Sequence, residues 1–438
     1  MTTQKTALAK RFALAMQAAS LSPDEPMSIA FSGGGDSLAL LALACDLFPE
    51  RKIHALIVDH ALRRESAPEA RCAAAMASAL GAKAHILTSK SPRAGHKHAR
   101  SARYTLLAKA CHGLGTRTLF LAHTLDDQEE TFAIRLARGS TARGLACMGT
   151  RSPLPAWPEG QGIWLARPLL AMCREELRHW LKAHDFRWID DPSNQNRRYA
   201  RVRVRQHLAA LHGAGLQNGR IAKSTLLLGQ LENERRNKTM TWLQSALSFY
   251  PAGYALLPRL ALETPPVIIA HMALGAILAS VAGLGFTPVP NPLVHRTLIK
   301  LRTTQGRGFC AAGCRLSIQG PDILISRDPG VVLGRAPNHK RLSLPVKASE
   351  TLYFDDRFHI SAAIDGWIET LGNRARLLPP LERKILMALP APVRPVVPVL
   401  RDQTGALSSP VLGGVGEMQF LGKIILSRKL APFSHGTE

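Results

Sequence analysis

Chemistry-bearing side chains fall in a few short stretches of this 438-residue chain. Phe31 to Leu38 read Phe-Ser-Gly-Gly-Gly-Asp-Ser-Leu, and Val58-Asp59-His60 closes an apolar run. His123 precedes Thr124-Leu125-Asp126-Asp127-Gln128-Glu129-Glu130-Thr131, and further on stands Arg201-Val202-Arg203-Val204-Arg205. The first stretch has the composition of a phosphate seat. Gly33, Gly34 and Gly35 permit positive φ and close backbone approach, so several N–H groups can point at one anion. Ser32 and Ser37 add hydroxyl donors, and a following helix adds its partial positive end. Asp36 and Asp127 are carboxylates of the kind Mg2+ takes alongside phosphate oxygens and water. The alternative reading of Asp36, and of Asp126 or Asp127, is an N-cap of the helix that begins there, a role that can coexist with function. Asp127 and Glu130 stand at i, i+3 on one helix face, as an acidic pair for an amino group or as a solvated turn. His123 has the chemistry to contact a phosphate or move a proton, and also reads as a buried histidine at a strand end.

The elements that must position these groups alternate. Strands are predicted near 27–31, 53–58, 84–87 and 118–122, and helices near 37–47, 66–80, 101–113 and 127–138. That alternation implies right-handed crossovers and a mainly parallel sheet. Ligands gather outside the carboxyl ends of such strands, where Ser32, Asp59 and His123 all fall. A Pro/Gly/Trp-rich loop is expected over 150–162 and a helix from Cys173 to His184. After Arg205 leucine and alanine take helical spacing, and Val331 to His339 reads as a linker. Short β-rich runs with Pro-rich joints follow, at 352–354 and 359–364. The fold class is therefore α/β: a Rossmann-like parallel sheet with a pyrophosphate-binding loop over 1–212, a helical domain over 213–335 and a small α+β domain over 336–438.

The loop lacks the Gly-x4-Gly-Lys-Ser/Thr spacing of a P-loop kinase and the Gly-x-Gly-x-x-Gly of a dinucleotide fold. Ser32-Gly33-Gly34-Gly35-Asp36-Ser37 instead resembles the SGGxDS loop of the ATP pyrophosphatase superfamily, whose members split ATP between the α and β phosphates. Ile57 to Arg63, the string from Ala122 to Thr131, Arg138-Gly139-Ser140, Arg143-Gly144-Leu145, Arg167-Pro168-Leu169-Leu170, Asp190 to Asn194 and Arg201 to Arg205 extend the likeness over about the first half of the chain. In this order they resemble the tRNA(Ile)-lysidine synthetase family. Thr124 stands where that family usually has a second histidine, and Val202 where an asparagine is common.

The resemblance implies an enzyme that adenylates the wobble cytidine of a tRNA(Ile) with a CAU anticodon and then joins free L-lysine to its C2, using ATP and Mg2+. It implies ATP binding by Ser32 to Ser37 with Asp59 and His60 framing the adenosine, and Mg2+ at Asp36 and Asp127. It further implies lysine at Asp127 and Glu130, His123 and Arg103 beside the reacting groups, and tRNA phosphate at Arg201, Arg203 and Arg205. The surface-cation reading of Arg103 stays open beside it. The rivals are a thiolating enzyme of the same superfamily and a silent RNA-binding relative. The absence of any Cys-x-x-Cys disfavours the first, and the retained Asp36, Asp127 and Glu130 the second.

Composition agrees with a polyanionic partner. A formal charge of +24 and a pI near 10.4 attract phosphate backbones through counterion release, and the few aromatics favour recognition of folded RNA by shape. Seven scattered cysteines read as a reduced, cytoplasmic set. Cys310 and Cys314, at C-x3-C with no histidine pair following, make a poor metal site. No secretory signal is expected at the N-terminus. Val267 to Phe286 is apolar enough to raise a membrane span by length, but its alanine and glycine content and His271 favour a buried helix.

Overall fold

The computed structural model describes residues 2–17, 25–61, 65–89, 96–190, 200–217, 219–303, 308–337 and 339–432. Leu62 and Arg63 of the second motif, and Asp191 to Asn194, lie outside the described residues. The chain forms two compact units, Met1–Glu234 and Arg235–Ala431.

The first unit opens with α1 (Thr2–Gln17), β1 (Met27–Ala30), α2 (Gly35–Leu47), β2 (Ile53–Asp59), α3 (Ser66–Ala79), β3 (Lys83–Thr88), α4 (His96–Gly113), β4 (Thr118–Phe120) and α5 (Leu125–Ala137). It continues through α6 (Ala142–Leu145), β5 (Arg151–Pro153), β6 (Trp164–Ala166), α7 (Arg174–Lys182), α8 (Ala200–Gly213) and the start of α9 (Arg220–Ala246). The expected strands and helices of this region are all present, and the expected loop over 150–162 contains the short edge strand β5. The sheet order is β3-β2-β1-β4-β6-β5, parallel throughout except for the antiparallel pair β5–β6.

Period-two alternation sends the strand side chains to two cores. Ile29, Ala55, Ile57 and Phe120 join α1, α2 and α7 on one face, while Leu56, Leu119 and Leu165 join Tyr104 and Leu107 of α4 on the other. Both faces are thus covered, as a parallel sheet requires. Helix α2 is buried from Ser37 through Ala44, which explains its lack of a polar face. Strand β1 pairs with β2 on one side and with β4 on the other, so the chain reverses its winding direction across β1. The crevice beyond the strand ends at such a reversal is where ligands bind. The glycine loop leaves β1 at this point and α5 follows β4.

The second unit contains the end of α9, β7 (Ser248–Tyr250), β8 (Tyr254–Pro258), α10 (Val267–Ala282), α11 (Asn291–Thr303), β9 (Phe309–Ala311), β10 (Cys314–Gln319), β11 (Asp322–Arg327) and α12 (Pro329–Val332). It ends with β12 (Ser343–Val346), β13 (Thr351–Phe354), β14 (Phe358–Ser361), β15 (Gly366–Thr370), α13 (Pro380–Ala388), β16 (Pro398–Arg401), β17 (Leu407–Ser408), β18 (Glu417–Phe420) and α14 (Gly422–Lys429). The expectation of a helical stretch over 213–335 needs correction, because a five-stranded antiparallel sheet, β7-β8-β11-β10-β9, lies within it. Its β10–β11 hairpin turns at Gly320-Pro321, a turn dipeptide between two six-residue strands. The 331–339 segment also starts with the last turn of α12 rather than as open linker. Two further antiparallel sheets, β12-β15-β16-β17 and β13-β14-β18, form the C-terminal part.

The apolar 267–286 stretch is α10, ended by Gly283 in the left-handed region at φ 73°. Its 16 residues extend only about 24 Å, short of a bilayer core. Among the described residues no helix is long and apolar enough to cross a membrane. Asp355 lies between Arg327 and Arg357, accepting from each at 2.6–2.9 Å, and its carboxyl is held below the usual range by those guanidiniums against the opposing effect of burial.

Candidate active site

The glycine loop is shaped by its backing chain. Gly33 sits at φ +78°, and a Cβ there would meet Ile189 Cδ1 at 2.7 Å. The Ile189 N–H also donates to the Gly33 carbonyl at 2.9 Å. A Cβ on Gly35 would come within 3.5 Å of the Trp188 ring. Gly34 is the N-cap of α2 and carries no side-chain cap, so Asp36 is a first-turn residue and not the cap that its type allowed. The uncapped N–H groups face the crevice with the helix dipole behind them. Ser32 and Ser37 hydroxyls meet at 3.0 Å, and Ser37 Oγ donates to the Gly34 carbonyl at 2.9 Å. Gly33→Ala is expected to add about 1–2 kcal/mol of backbone strain and displace Ile189. The measured outcome should be a raised KM for ATP with an unchanged circular dichroism spectrum, and an unaltered KM would show that this turn does not seat the nucleotide.

Every polar side chain of the 124–131 string is hydrogen-bonded. Thr124 is the N-cap of α5: its backbone N–H donates to Asp127 Oδ2 at 3.0 Å, and its hydroxyl accepts from the Asp127 N–H at 3.4 Å. The capping box places Asp127 at N3, so neither Asp126 nor Asp127 is the cap. Asp126 Oδ2 instead accepts the Arg174 backbone N–H at 2.7 Å, closing the start of α7. Gln128 exchanges two hydrogen bonds with the backbone of Met148. Glu129 accepts from the Gly219 N–H and pairs with His212 Nε2, both at 3.1 Å. The other His212 nitrogen faces the Leu216 carbonyl at 2.7 Å.

Asp127 and Glu130 meet Asp36 around one guanidinium. Arg174 Nε donates to Asp36 Oδ2 at 3.1 Å, Nη2 to Asp127 Oδ1 at 3.1 Å and Nη1 to Glu130 Oε1 at 3.4 Å. Arg201 spans Glu130 Oε2 at 2.7 Å and Asp127 Oδ1 at 3.1 Å, and Arg205 Nε reaches Glu130 Oε1 at 2.8 Å. Sequence reasoning missed Arg174 altogether; it stands four residues past Arg167-Pro168-Leu169-Leu170, and only the fold turns it toward the carboxylates. Arg203 is exposed.

Burial pushes the Asp36 carboxyl up, with Asp127 adding to the push, against the downward pull of Arg174. Asp36 and Asp127 converge on the same guanidinium beside the glycine loop, and two such carboxylates suit a hard divalent cation that also takes phosphate oxygens. The residues present fit Mg2+ in that sense. Among the described residues no group of three or more His, Cys, Asp or Glu side chains could hold a metal by themselves, and Cys310 and Cys314 are free thiols.

A second, cationic side of the crevice surrounds His123. Burial, then the charges of Arg167, Arg201, Arg103 and Arg100, hold its imidazole well below 6.5, and Nδ1 is enclosed without a hydrogen-bond partner. Burial, followed by Arg103, also lowers His60, so Arg103 acts on both histidines. Asp59 ends β2 buried and accepts from the Ala61 N–H at 2.9 Å, which fixes the turn beside the predicted adenosine pocket. Arg167, brought down to about 10 by burial, donates to the Gly149 carbonyl at 2.8 Å and to Ser152 Oγ at 3.0 Å.

Comparison with known proteins places this geometry in a family. A PP-loop domain model matches residues 4–211. The tRNA(Ile)-lysidine synthase of Hyphomonas neptunium is 33% identical over 311 residues, covering 70% of this chain and 83% of its own. That of Caulobacter vibrioides is 34% identical over 388 residues, with 87% and 85% covered. The Ruegeria pomeroyi enzyme is 35% identical over 318 residues, with 70% and 73% covered. The chain belongs to the tRNA(Ile)-lysidine synthase family.

The two positions unusual for a lysidine synthase now have local explanations. Thr124 supplies the α5 cap that orients Asp127. Val202 is buried on the inner side of α8, between two arginines that reach the carboxylates.

The depressed His123 of this lysidine synthase has a consequence for acid stability. An unfolded imidazole gains a proton near pH 6.5, whereas the folded ring resists it. Above pH 6.5 both are neutral and His123 adds nothing to the pH dependence; as pH falls below 6.5 the unfolded chain is favoured, down to the folded value. Thermal melts from pH 7.5 to 5.5 should show Tm falling more gently in His123→Asn than in wild type. Parallel curves would mean that the folded ring takes up its proton normally.

Proposed function

We propose that this enzyme joins free L-lysine to C2 of the wobble cytidine of a tRNA(Ile) with a CAU anticodon, in two steps on one crevice and at the expense of ATP. The observation that carries the reading is the meeting of Asp36, from the nucleotide loop, with Asp127 and Glu130, from α5, around Arg174. A nucleotide seat and an amine seat thereby share one boundary.

In the first step the uncapped start of α2 and the hydroxyls of Ser32 and Ser37 hold the triphosphate, with Asp59 and His60 beside the adenosine. The cytidine O2 attacks the α-phosphorus and diphosphate leaves, a reaction governed by positioning and charge neutralisation. Asp36 and Asp127 are the residues that would hold Mg2+, which supplies neutralisation of the phosphate oxygens when bound. Neutral His123 and the cationic Arg103 flank the phosphoryl group as hydrogen-bond donors.

Adenylation turns a poor leaving group into AMP. In the second step the lysine ε-amine forms the C2–N bond, the C2–O bond to AMP breaks, and the amine loses its proton. An ammonium is not nucleophilic, so Asp127 and Glu130 must orient the lysine while its amine is deprotonated. Arg201, Arg203 and Arg205 engage tRNA phosphate. Residues 1–212 carry the chemistry, and 213–335 and 336–438 discriminate among tRNAs by shape, in the cytoplasm. Mass spectrometry of tRNA incubated with ATP and isotope-labelled lysine tests the reading: lysine mass on the wobble nucleotide is expected, and unmodified RNA with uncleaved ATP refutes it.

A further inference from the structure

We propose that Arg100 grips a backbone phosphate of the RNA beside the wobble cytidine and so delivers that base to the crevice next to His123. This rests on the reading of a tRNA anticodon as substrate and names the side chain that presents it.

Helix α4 follows β3 in a parallel sheet, so its N-terminal half lies at the same sheet edge as the glycine loop and His123. Its 18 residues include no acid, which leaves Arg100 and Arg103 without a counterion one turn away. Nor does another element supply one. Arg100 Nη2 donates to the Tyr104 hydroxyl at 3.4 Å, and the two guanidiniums lie over the Tyr104 ring, 5.1 and 5.4 Å from its centre. Among the described residues neither arginine forms an ion pair with a carboxylate. Tyr104 is 1% exposed, so its ring is a fixed platform under both side chains. The neighbouring cations, by contrast, are already answered: Arg167 donates to the Gly149 carbonyl and Ser152 Oγ, and Arg201 to Asp127 and Glu130. Positive charge without a counterpart is therefore concentrated at Arg100 and Arg103, beside an enclosed and neutral imidazole. A phosphodiester fits it, because a guanidinium offers phosphate oxygens two parallel donors.

The two arginines divide between the substrates. The charge of Arg103 is felt at both His123 and His60, whereas that of Arg100 is felt at His123 and Arg167 and not at His60. Arg103 thus faces the adenosine side of the crevice as well as the cytidine side, and Arg100 stands away from the adenosine. Arg100 is also exposed where Arg103 is half-buried. It is the one within reach of a chain whose backbone stays outside while a single base enters.

Filter binding of CAU-anticodon tRNA to the full-length protein over a salt series, without ATP or lysine, tests the contact. Arg100→Gln is expected to bind about tenfold more weakly than wild type, the loss of one charge-assisted hydrogen bond. The slope of log affinity against log salt should become shallower by about 0.7, the share of one single-strand phosphate. Arg100→Lys keeps the charge and should keep the slope. An uncharged methylphosphonate placed on one side or the other of the wobble nucleotide locates the contact. One of these two RNAs should bind wild type about tenfold more weakly and bind Arg100→Gln no worse than unmodified tRNA does. An unchanged slope in Arg100→Gln overturns the proposal, as does a methylphosphonate penalty equal in wild type and variant, or a raised KM for ATP with unaltered RNA binding. Should the glutamine variant fail to fold, Arg100→Met, which keeps an apolar stem over Tyr104, takes its place in every comparison. Wild-type lysidine formation is measured separately by mass spectrometry. Lysidine made without these shifts removes Arg100 from the RNA contact and spares the function, whereas absence of lysidine removes the reading beneath it.

Discussion

Asp36→Ala is expected to lower AMP transfer to tRNA by about 10^2–10^3-fold, the range seen when a preorganised charge-stabilising group is removed. The side chain stands at the start of α2, beside the uncapped N–H groups, and is the only nucleotide-loop carboxylate that touches Arg174. Its loss removes one proposed ligand of the divalent cation and leaves Arg174 bonded to Asp127 and Glu130. Folding should change by no more than about 1 kcal/mol, because a partly exposed ion pair contributes little net stability. Filter binding should show nearly wild-type affinity for tRNA, since no phosphate-binding arginine is altered. Diphosphate release at the wild-type rate would remove Asp36 from the reaction.

Glu130→Ala should divide the two half-reactions. Adenylated tRNA is expected to form and persist, while the KM for lysine rises by about 30-fold or more, the loss of a charge-assisted hydrogen bond in a desolvated position. The side chain is 2% exposed and accepts from Arg174, Arg201 and Arg205. Removing it leaves those guanidiniums with fewer partners, at a cost in stability of about 1–3 kcal/mol. That is below the usual figure for a broken buried pair because Arg201 and Arg205 can turn to water. Glu130→Gln, which retains an acceptor oxygen, should recover part of the stability and little of the lysine affinity. An unchanged KM for lysine in both variants would count against the assignment, whatever happens to Tm.

The first unit was largely legible before its structure. Apolar runs ending at Ala30, Asp59 and Phe120 give strands, and the chemical motifs follow them directly, because a parallel sheet collects functional groups at one edge. Ser32, Asp59 and His123 could be placed for that reason. The antiparallel sheet inside 213–335 was not, since β7 and β9 have only 3 residues each and the leucines around β7 and β8 imitate helical spacing. Arg174 escaped notice for a different reason. Its importance arises from contacts with residues 44 to 138 positions away, and no local pattern encodes such a meeting. The alternative N-cap reading of Asp36, Asp126 and Asp127 falls two or three residues past the actual caps, Gly34 of α2 and Thr124 of α5, because glycine and threonine stand just ahead of each acidic residue.

The commitments of α5 bear on how such an enzyme could be made to accept a different amino acid. Thr124, Asp126, Asp127, Gln128, Glu129 and Glu130 each hold part of the surrounding structure, with Arg174 shared by Asp126, Asp127 and Glu130. A change at any of them disturbs the scaffold together with the selectivity. Arg201 and Arg205 of α8 answer the same carboxylates from the other side, so a change of substrate calls for paired substitutions on both helices rather than a single one on the acidic helix.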